Sequence, residues 1–420
     1  MKHLPIIFFL IALVLFLSSC NREQESLFEQ PAAIRLNKAI YNTDSILVSA
    51  TNGWIMHYFA TNESPGYPIL TKFEKTGEVL AAAKNKFSRN KYAESKSLFE
   101  IIGDNGPVLS FNSYNNIIHA FSNPENPAGH GQGGDYEFII NNISDSLIKM
   151  SGKKTKTSIE LCKAPENINW PNLFEQLDNM NNKIIGDDVV YLISGNDTTI
   201  LSGTNSFVFE IEESQSKQIS YLPFIITLNG IKLYEPFETK RKTYVQHFTL
   251  SAEGDKLIAE SDNQTYITGS NVVDFLISSN QLFEFNLTQT SEHFLSPANL
   301  IYEQLHSRYS GNRDVDYLAI GYHNGFGFGF SISTKPTLTI ARYQLYLLKQ
   351  NNQSIKINRE PKIFDQNGEI FYNNNTAIEA FWKALTGTYE LKTTLSKNSV
   401  TFIDIENELR YFTANKKTIE

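Results

Sequence analysis

The sequence predicts a mostly β chain of the α+β class: antiparallel sheets and hairpin meanders in two or three modules, with a few short capping helices. Three observations carry this expectation. Short runs rich in β-branched and aromatic residues alternate between apolar and polar positions, which is the period of a half-buried strand. Asn-Gly pairs recur at 52–53, 105–106, 229–230, 324–325 and 367–368, and Asn-Gly suits a two-residue hairpin because both central residues need positive φ. Apolar positions at helical spacing are confined to a few isolated stretches.

The chain opens with Lys2, an apolar run over 4–17 and the sequence Leu17-Ser18-Ser19-Cys20. A positive start followed by an apolar segment and small residues reads as a secretory signal over 1–19. The run is shorter than the ~20 apolar residues of a spanning helix. Small residues before Cys20 fit a bacterial lipobox, in which the thiol is diacylated and the new amine acylated by palmitate-type chains. Cys20 is therefore the expected lipid attachment site, and several chains on one residue hold a membrane firmly where a single chain is marginal. Cys162 is then the one remaining cysteine, so no intramolecular disulfide is expected. The net charge of −8 becomes −9 once Lys2 is removed. This mild acidity argues against nucleic acid as a partner.

Residues 20–26 read as a polar tether. Ser26 and Glu29 match a capping box, and Ile34, Ile40 and Leu47 mark a helix after it. A first β module is expected over 27–165. In GWIMHYFA, Trp54, Met56 and Tyr58 share one face, and PILTKFEKTGEVL, SKSLFEII, PVLSFNSY and DYEFII supply further strands. A second β module is expected over 166–290, opened by a helix in WPNLFEQLDNM with Leu173, Leu177 and Met180 in line. A C-terminal α+β module takes 291–420. There Ser296 with Pro297 reads as a helix start, and Thr376 with Glu379 as a capping box before Ile378, Phe381, Trp382 and Leu385. SFNSYNNIIHAFSNP and FIITLNGIKLYEPFE echo each other as strand, turn, strand, so that His119 falls where Leu233 does.

The stretch FSNPENPAGHGQGGDYEF, 121–138, holds the candidate site. Asp135 and Glu137, spaced i, i+2, would share one strand face with Tyr136 between them. His130 lies in the preceding loop, and His119 is placed at the end of the preceding strand, on the face of Ile117 and Phe121. Long loops of this kind concentrate binding function, and the glycines equally permit a plain crossover. The spacing matches no metal signature, so His119, His130, Asp135, Tyr136 and Glu137 are ligand-binding candidates, with no metal, cofactor or catalytic residue assigned. Glu303 and His306 share a helix face but lack the partner motifs of a di-iron bundle. SGKKTKT, 151–157, lacks P-loop spacing and reads as a basic hairpin tip. In NGFGFGFSI the Phe face is expected to be core, and the Gly face to admit another backbone. Trp54, Trp170 and Trp382 are expected in the core. HExxH, GxSxG and CxxC do not occur.

The order NGWIMHYF, KFEKTGEV, GPVLSFNSYNNIIHAFSNP, GQGGDYEFII and LIKMSGKKTKTSIEL resembles a lipoprotein family of Bacteroidota classed only as a domain of unknown function. The resemblance covers roughly 27–290, with SPGYP at Ser64–Pro68 as a departure from the family's paired-Gly turn. It implies a lipid-anchored outer-membrane protein, on a face left open, encoded near SusC/SusD-type uptake systems and zinc-binding metallopeptidases. It implies no catalytic residue. The expected function is a non-enzymatic accessory of nutrient capture that binds a peptide or glycan. A scaffold that docks a transporter or neighbouring peptidase, and a hydrolase with an unrecognised site, stand as alternatives.

Overall fold

The computed structural model describes residues 30–123, 132–186, 189–212, 217–278, 281–309, 312–323, 325–373 and 375–417. Cys20, the Ser26–Glu29 pair and His130 lie outside them. Among the described residues no helix is long and apolar enough to cross a membrane.

The mostly β, α+β expectation holds: three antiparallel sheets carry the chain. Helix α1 (Ala32–Ser49) precedes sheet one. That sheet comprises β1 (Trp54–Phe59), β2 (Gly66–Phe73), β3 (Glu78–Ala83), β4 (Ala93–Leu98) and β5 (Glu100–Gly103). It continues with β6 (Pro107–Ser110), β7 (Glu137–Ile143), β8 (Leu147–Gly152) and β9 (Ser158–Lys163). The order is β4-β3-β2-β1-β9-β8-β7-β6-β5. Sheet two follows helix α2 (Trp170–Ile184). It comprises β10 (Val190–Ser194), β11 (Asp197–Leu201), β12 (Val208–Glu212), β13 (Ile219–Ile226), β14 (Gly230–Glu238), β15 (Tyr244–Leu250), β16 (Lys256–Ala259) and β17 (Thr265–Gly269), in the order β11-β10-β17-β16-β15-β14-β13-β12.

The third sheet is a closed barrel. After α3 (Val272–Ser278) its strands are β18 (Leu282–Thr290), β19 (Asp314–His323), β20 (Gly327–Lys335), β21 (Thr339–Lys349), β22 (Ser354–Phe364), β23 (Gly387–Thr393), β24 (Ser399–Asp404) and β25 (Tyr411–Lys416). Helix α4 (Glu292–Arg308) follows β18, while α5 (Gln366–Tyr372) and α6 (Thr376–Ala384) lie between β22 and β23.

β1 is central in sheet one and buried on both faces, which is why its run is apolar apart from His57. Trp54, Met56 and Tyr58 enter the core under α1, whereas Ile55 packs toward sheet two and α2. The indole N–H of Trp54 donates to the Leu47 carbonyl (2.9 Å), and that of Trp170 to the Asn52 carbonyl (2.9 Å), which meets the need of a buried indole for a partner. In the barrel, Phe330 stacks on Tyr343, and Phe381 and Trp382 of α6 meet them edge-on. Burial of each such large side chain contributes ~1.5–3 kcal/mol. The glycine face of β20 meets its expectation: a Cβ on Gly329 would lie 2.3 Å from the Tyr343 carbonyl oxygen.

Several local expectations are corrected. Ile34 is 54 % exposed, so the buried stripe of α1 runs through Thr43 and Leu47. α4 begins at Glu292, not after Ser296, and Pro297 lies inside it. Its start is fixed from outside the helix, because Tyr411 N–H donates to Ser291 Oγ (3.0 Å) and Phe294 is fully buried. α6 is capped by Asn375, whose side chain accepts from Ala377 and Ile378 N–H, while Glu379 accepts from the Tyr372 hydroxyl. Asn-Gly at 105–106 and 229–230 joins hairpin strands, and Gly325 falls between β19 and β20. At 52–53 the pair instead links α1 to β1. At 367–368 it lies within α5, where the Asp365 side chain accepts from Gly368 N–H. The internal echo does not reflect a shared plan: FIITLNGIKLYEPFE is the β13–β14 hairpin, but β6 is followed by a loop and a 3₁₀ turn at His119–Phe121.

Candidate functional site

The residues singled out in 119–137 separate into two groups. His119 does not end a strand. Asn115 accepts from Ile117 and Ile118 N–H, donates to Ser95 and Ser97, and its own N–H reaches His119 Nδ1 (3.1 Å). The His119 ring stacks on Tyr136 (4.7 Å) and lies 5.0 Å from Tyr114. Partial burial lowers its pKa, which favours the neutral ring. His119 and Tyr136 are thus brought together.

Asp135 and Glu137 are not presented as a free pair. Asp135, 7 % exposed, precedes β7 and accepts from Lys154 N–H (3.1 Å), Thr155 N–H (2.7 Å) and Thr155 Oγ1 (2.7 Å). Glu137 pairs with Lys153 Nζ (3.4 Å) and Ser110 Oγ (3.3 Å). Both acids clamp the β8–β9 turn, so the acidic GGDYEF and basic SGKKTKT stretches answer each other.

A second cluster escaped the sequence reading. His57 on β1 is paired in register with Glu160 on β9, and Cys162 lies two residues further along the same face. Lys232 of β14 reaches across from sheet two, its Nζ 2.5 Å from Glu160 Oε2, and His247 is its cross-strand neighbour on β15. A polar residue inside an apolar run, His57 in WIMHYF and Lys232 in GIKLY, is the available signal. Burial, then the Lys232 ammonium, lowers the His57 pKa to about 4. Burial, then the Glu160 charge, pushes the Cys162 thiol up to about 11. Burial also raises Glu160, but Lys232 outweighs it and holds the carboxyl below its usual range. These directions oppose those of an activated thiolate–imidazolium pair. The donor atoms of His57, Glu160 and Cys162 lie within 4.8 Å of one another. The Lys232 ammonium already holds the position beside the carboxylate that a cation would take. The cluster is a buried ion-pair latch between the two sheets.

The feature open to a ligand is a cleft of about 540 Å³ where the two sheets and α2 meet. Tyr67, Asn85, Phe174, Asn181, Asn205 and Phe207 line it. Its floor is tight: a Cβ on Gly66 would lie 2.5 Å from Ile225 Cβ. Asn85 caps the 3₁₀ turn Lys86–Ser88 by accepting from Phe87 and Ser88 N–H. Phe121, the first residue of the sequence-predicted stretch, backs the wall, 5.0 Å from the Tyr67 ring and 4.8 Å from that of Phe87. Lys84 and Asp178 form an ion pair across the rim.

The described fold and cleft define a three-sheet β protein with a solvent-open site between its first two sheets. The chain belongs to the family described as Domain of unknown function (DUF4302), whose model matches residues 24–252 and so includes every residue of the cleft. No curated protein matches. Among solved structures, the chain is 12% identical to the β subunit of DNA polymerase from Streptococcus pyogenes, with 90% of this chain and 93% of that one covered, at a TM-score of 0.16. For the DNA polymerase III β chain of Streptococcus pneumoniae TIGR4 the values are 12%, 92%, 98% and 0.14. For the DNA polymerase sliding clamp of Pseudomonas aeruginosa they are 8%, 91%, 98% and 0.16. TM-scores at this level carry no argument about fold or function.

Proposed function

We propose that this chain is a cell-envelope lipoprotein, anchored through acylated Cys20 in the outer membrane, that captures a peptide or glycan as a non-enzymatic accessory of nutrient uptake. The cleft between sheets one and two is the observation that carries the reading: its mix of aromatic faces and amide side chains suits recognition, and its volume falls within the ~300–1,000 Å³ of ligand pockets. The apolar run before Cys20 supports the anchor. A SusC/SusD-type transporter or a neighbouring peptidase is the partner to which such a protein would pass its ligand. Cys20→Ser is expected to move the protein from the membrane to the soluble fraction; retention in the membrane refutes the anchor. Isothermal titration of the full chain against peptides and oligosaccharides tests capture, and no heat from either class refutes it.

A further inference from the structure

We infer that the ligand of the cleft is an uncharged saccharide; this rests on the capture reading and narrows it. The charged side chains of the lining are Lys84, Lys86 and Asp178. Lys84 and Asp178 neutralise each other. Lys86 Nζ lies over the Tyr67 and Phe87 rings, at 5.7 and 5.1 Å, and donates to Gln132 Oε1 at 3.4 Å. The lining thus holds no acid free for an ammonium, and its one cation without an acidic partner, Lys86, is exposed and occupied by the two rings and the amide.

The remaining polar lining consists of the Tyr67 hydroxyl, the Asn90, Asn181 and Asn205 amides, and Asn85 and Ser206, whose Oδ1 and O–H are already used in local turns. An amide both donates and accepts, as a sugar hydroxyl does. Asn181 Oδ1 is turned into the wall with no hydrogen-bond partner among the described residues. A buried unpaired acceptor costs about 1–3 kcal/mol, and rotation of the amide toward the cleft lets a ligand hydroxyl relieve it. Tyr67 and Phe207, both half-buried, supply the apolar rings on which a pyranose packs, with the buried Phe174 behind them.

A peptide bound by strand addition needs a free strand edge, and the walls offer none. β2 is interior to sheet one, between β1 and β3. β12 begins after the lining residue Phe207, whose carbonyl accepts from Phe224 N–H of the neighbouring β13, and none of 208–212 lines the cleft. Pro65 and Pro68 present no N–H.

The test titrates the detergent-solubilised full chain with neutral gluco-, manno- and galacto-oligosaccharides, with uronic-acid oligosaccharides and with short peptides. A neutral oligosaccharide is expected to bind, with affinity changing less than about twofold between low and high salt because no ion pair is formed. Asn181→Ala is expected to weaken it about tenfold. Asn205→Ala, at an exposed position, is expected to weaken it in the same direction, and unchanged near-ultraviolet circular dichroism shows that each variant is folded. Unchanged affinity in both folded variants overturns the assignment. Peptide or uronic-acid binding with no neutral-sugar binding overturns the saccharide class and leaves capture standing, whereas silence from all three probes overturns both.

Discussion

Replacing Lys232 by Met tests whether the inter-sheet cluster acts as a latch. The substitution keeps an unbranched apolar stem but removes the ammonium 2.5 Å from Glu160 Oε2. Glu160 is then left with its side chain 13% exposed, and its nearest remaining partner is His57 Nδ1 at 3.9 Å, too far for a hydrogen bond. Burial, the largest cause of the lowered His57 pKa, persists without Lys232 and still disfavours the protonated ring. Orphaning one member of a buried pair costs ~3–5 kcal/mol, and the residual hydration of Glu160 favours the lower end, about 3 kcal/mol. For a cooperative unit of about 200 residues this lowers Tm by ~6–12 °C. Replacing both partners, Glu160→Leu with Lys232→Met, is expected to recover most of the loss, because an apolar pair of similar volume carries no desolvation penalty. Differential scanning calorimetry and urea titration of the single and double variants read both effects. A loss below about 1 kcal/mol in Lys232→Met, or a double variant no more stable than the single, refutes the latch.

Two further outcomes follow from the geometry. His57 and His323 both have folded pKa values lowered to about 4, in each case chiefly by burial. The unfolded chain therefore takes up their protons first, so their contribution is complete above about pH 6.5 and is lost as pH falls toward 4. A pH series of urea midpoints should decline across that window, and a flat profile contradicts it. Asp135→Ala orphans the Lys154 and Thr155 amides; a loss of about 3 kcal/mol and faster hydrogen exchange at both are expected, and unchanged exchange contradicts the clamp.

Much of the fold was legible because local rules and tertiary burial agree there. The strand in GWIMHYFA and the α6 stripe point where the structure goes, as do the hairpins at 105–106 and 229–230, although β1 is buried on both faces and neither Asn-Gly pair adopts positive φ. Legibility failed where a distant partner decides. Ser291 is pinned by Tyr411 and so starts α4 a turn early. Asp365 caps a helix through an Asn-Gly pair that elsewhere makes a hairpin. Asn115 winds 115–123 into a turn where the apolar spacing suggested a strand. The candidate site was half visible for the same reason. His119 and Tyr136 meet, but the acids beside them are consumed by a turn 18 residues or so away in sequence, an order of separation that period and propensity do not report. The cleft draws on five separate segments between Pro65 and Ile226, and none of the sequence-derived candidates His119, His130, Asp135, Tyr136 and Glu137 is among its lining.

The way the three sheets end has a consequence for the protein at high concentration. In sheet one the outermost strands β4 and β5 are consecutive, separated by Phe99 alone, so the ribbon curls until its margins adjoin. In sheet two the Ser202–Glu210 bridge stitches β11 toward β12, and the third sheet has no margin at all. Unpaired strand margins are where neighbouring copies zip together. A molecule with one closed barrel and two nearly closed sheets offers neighbouring copies little strand margin and meets them mainly through side chains.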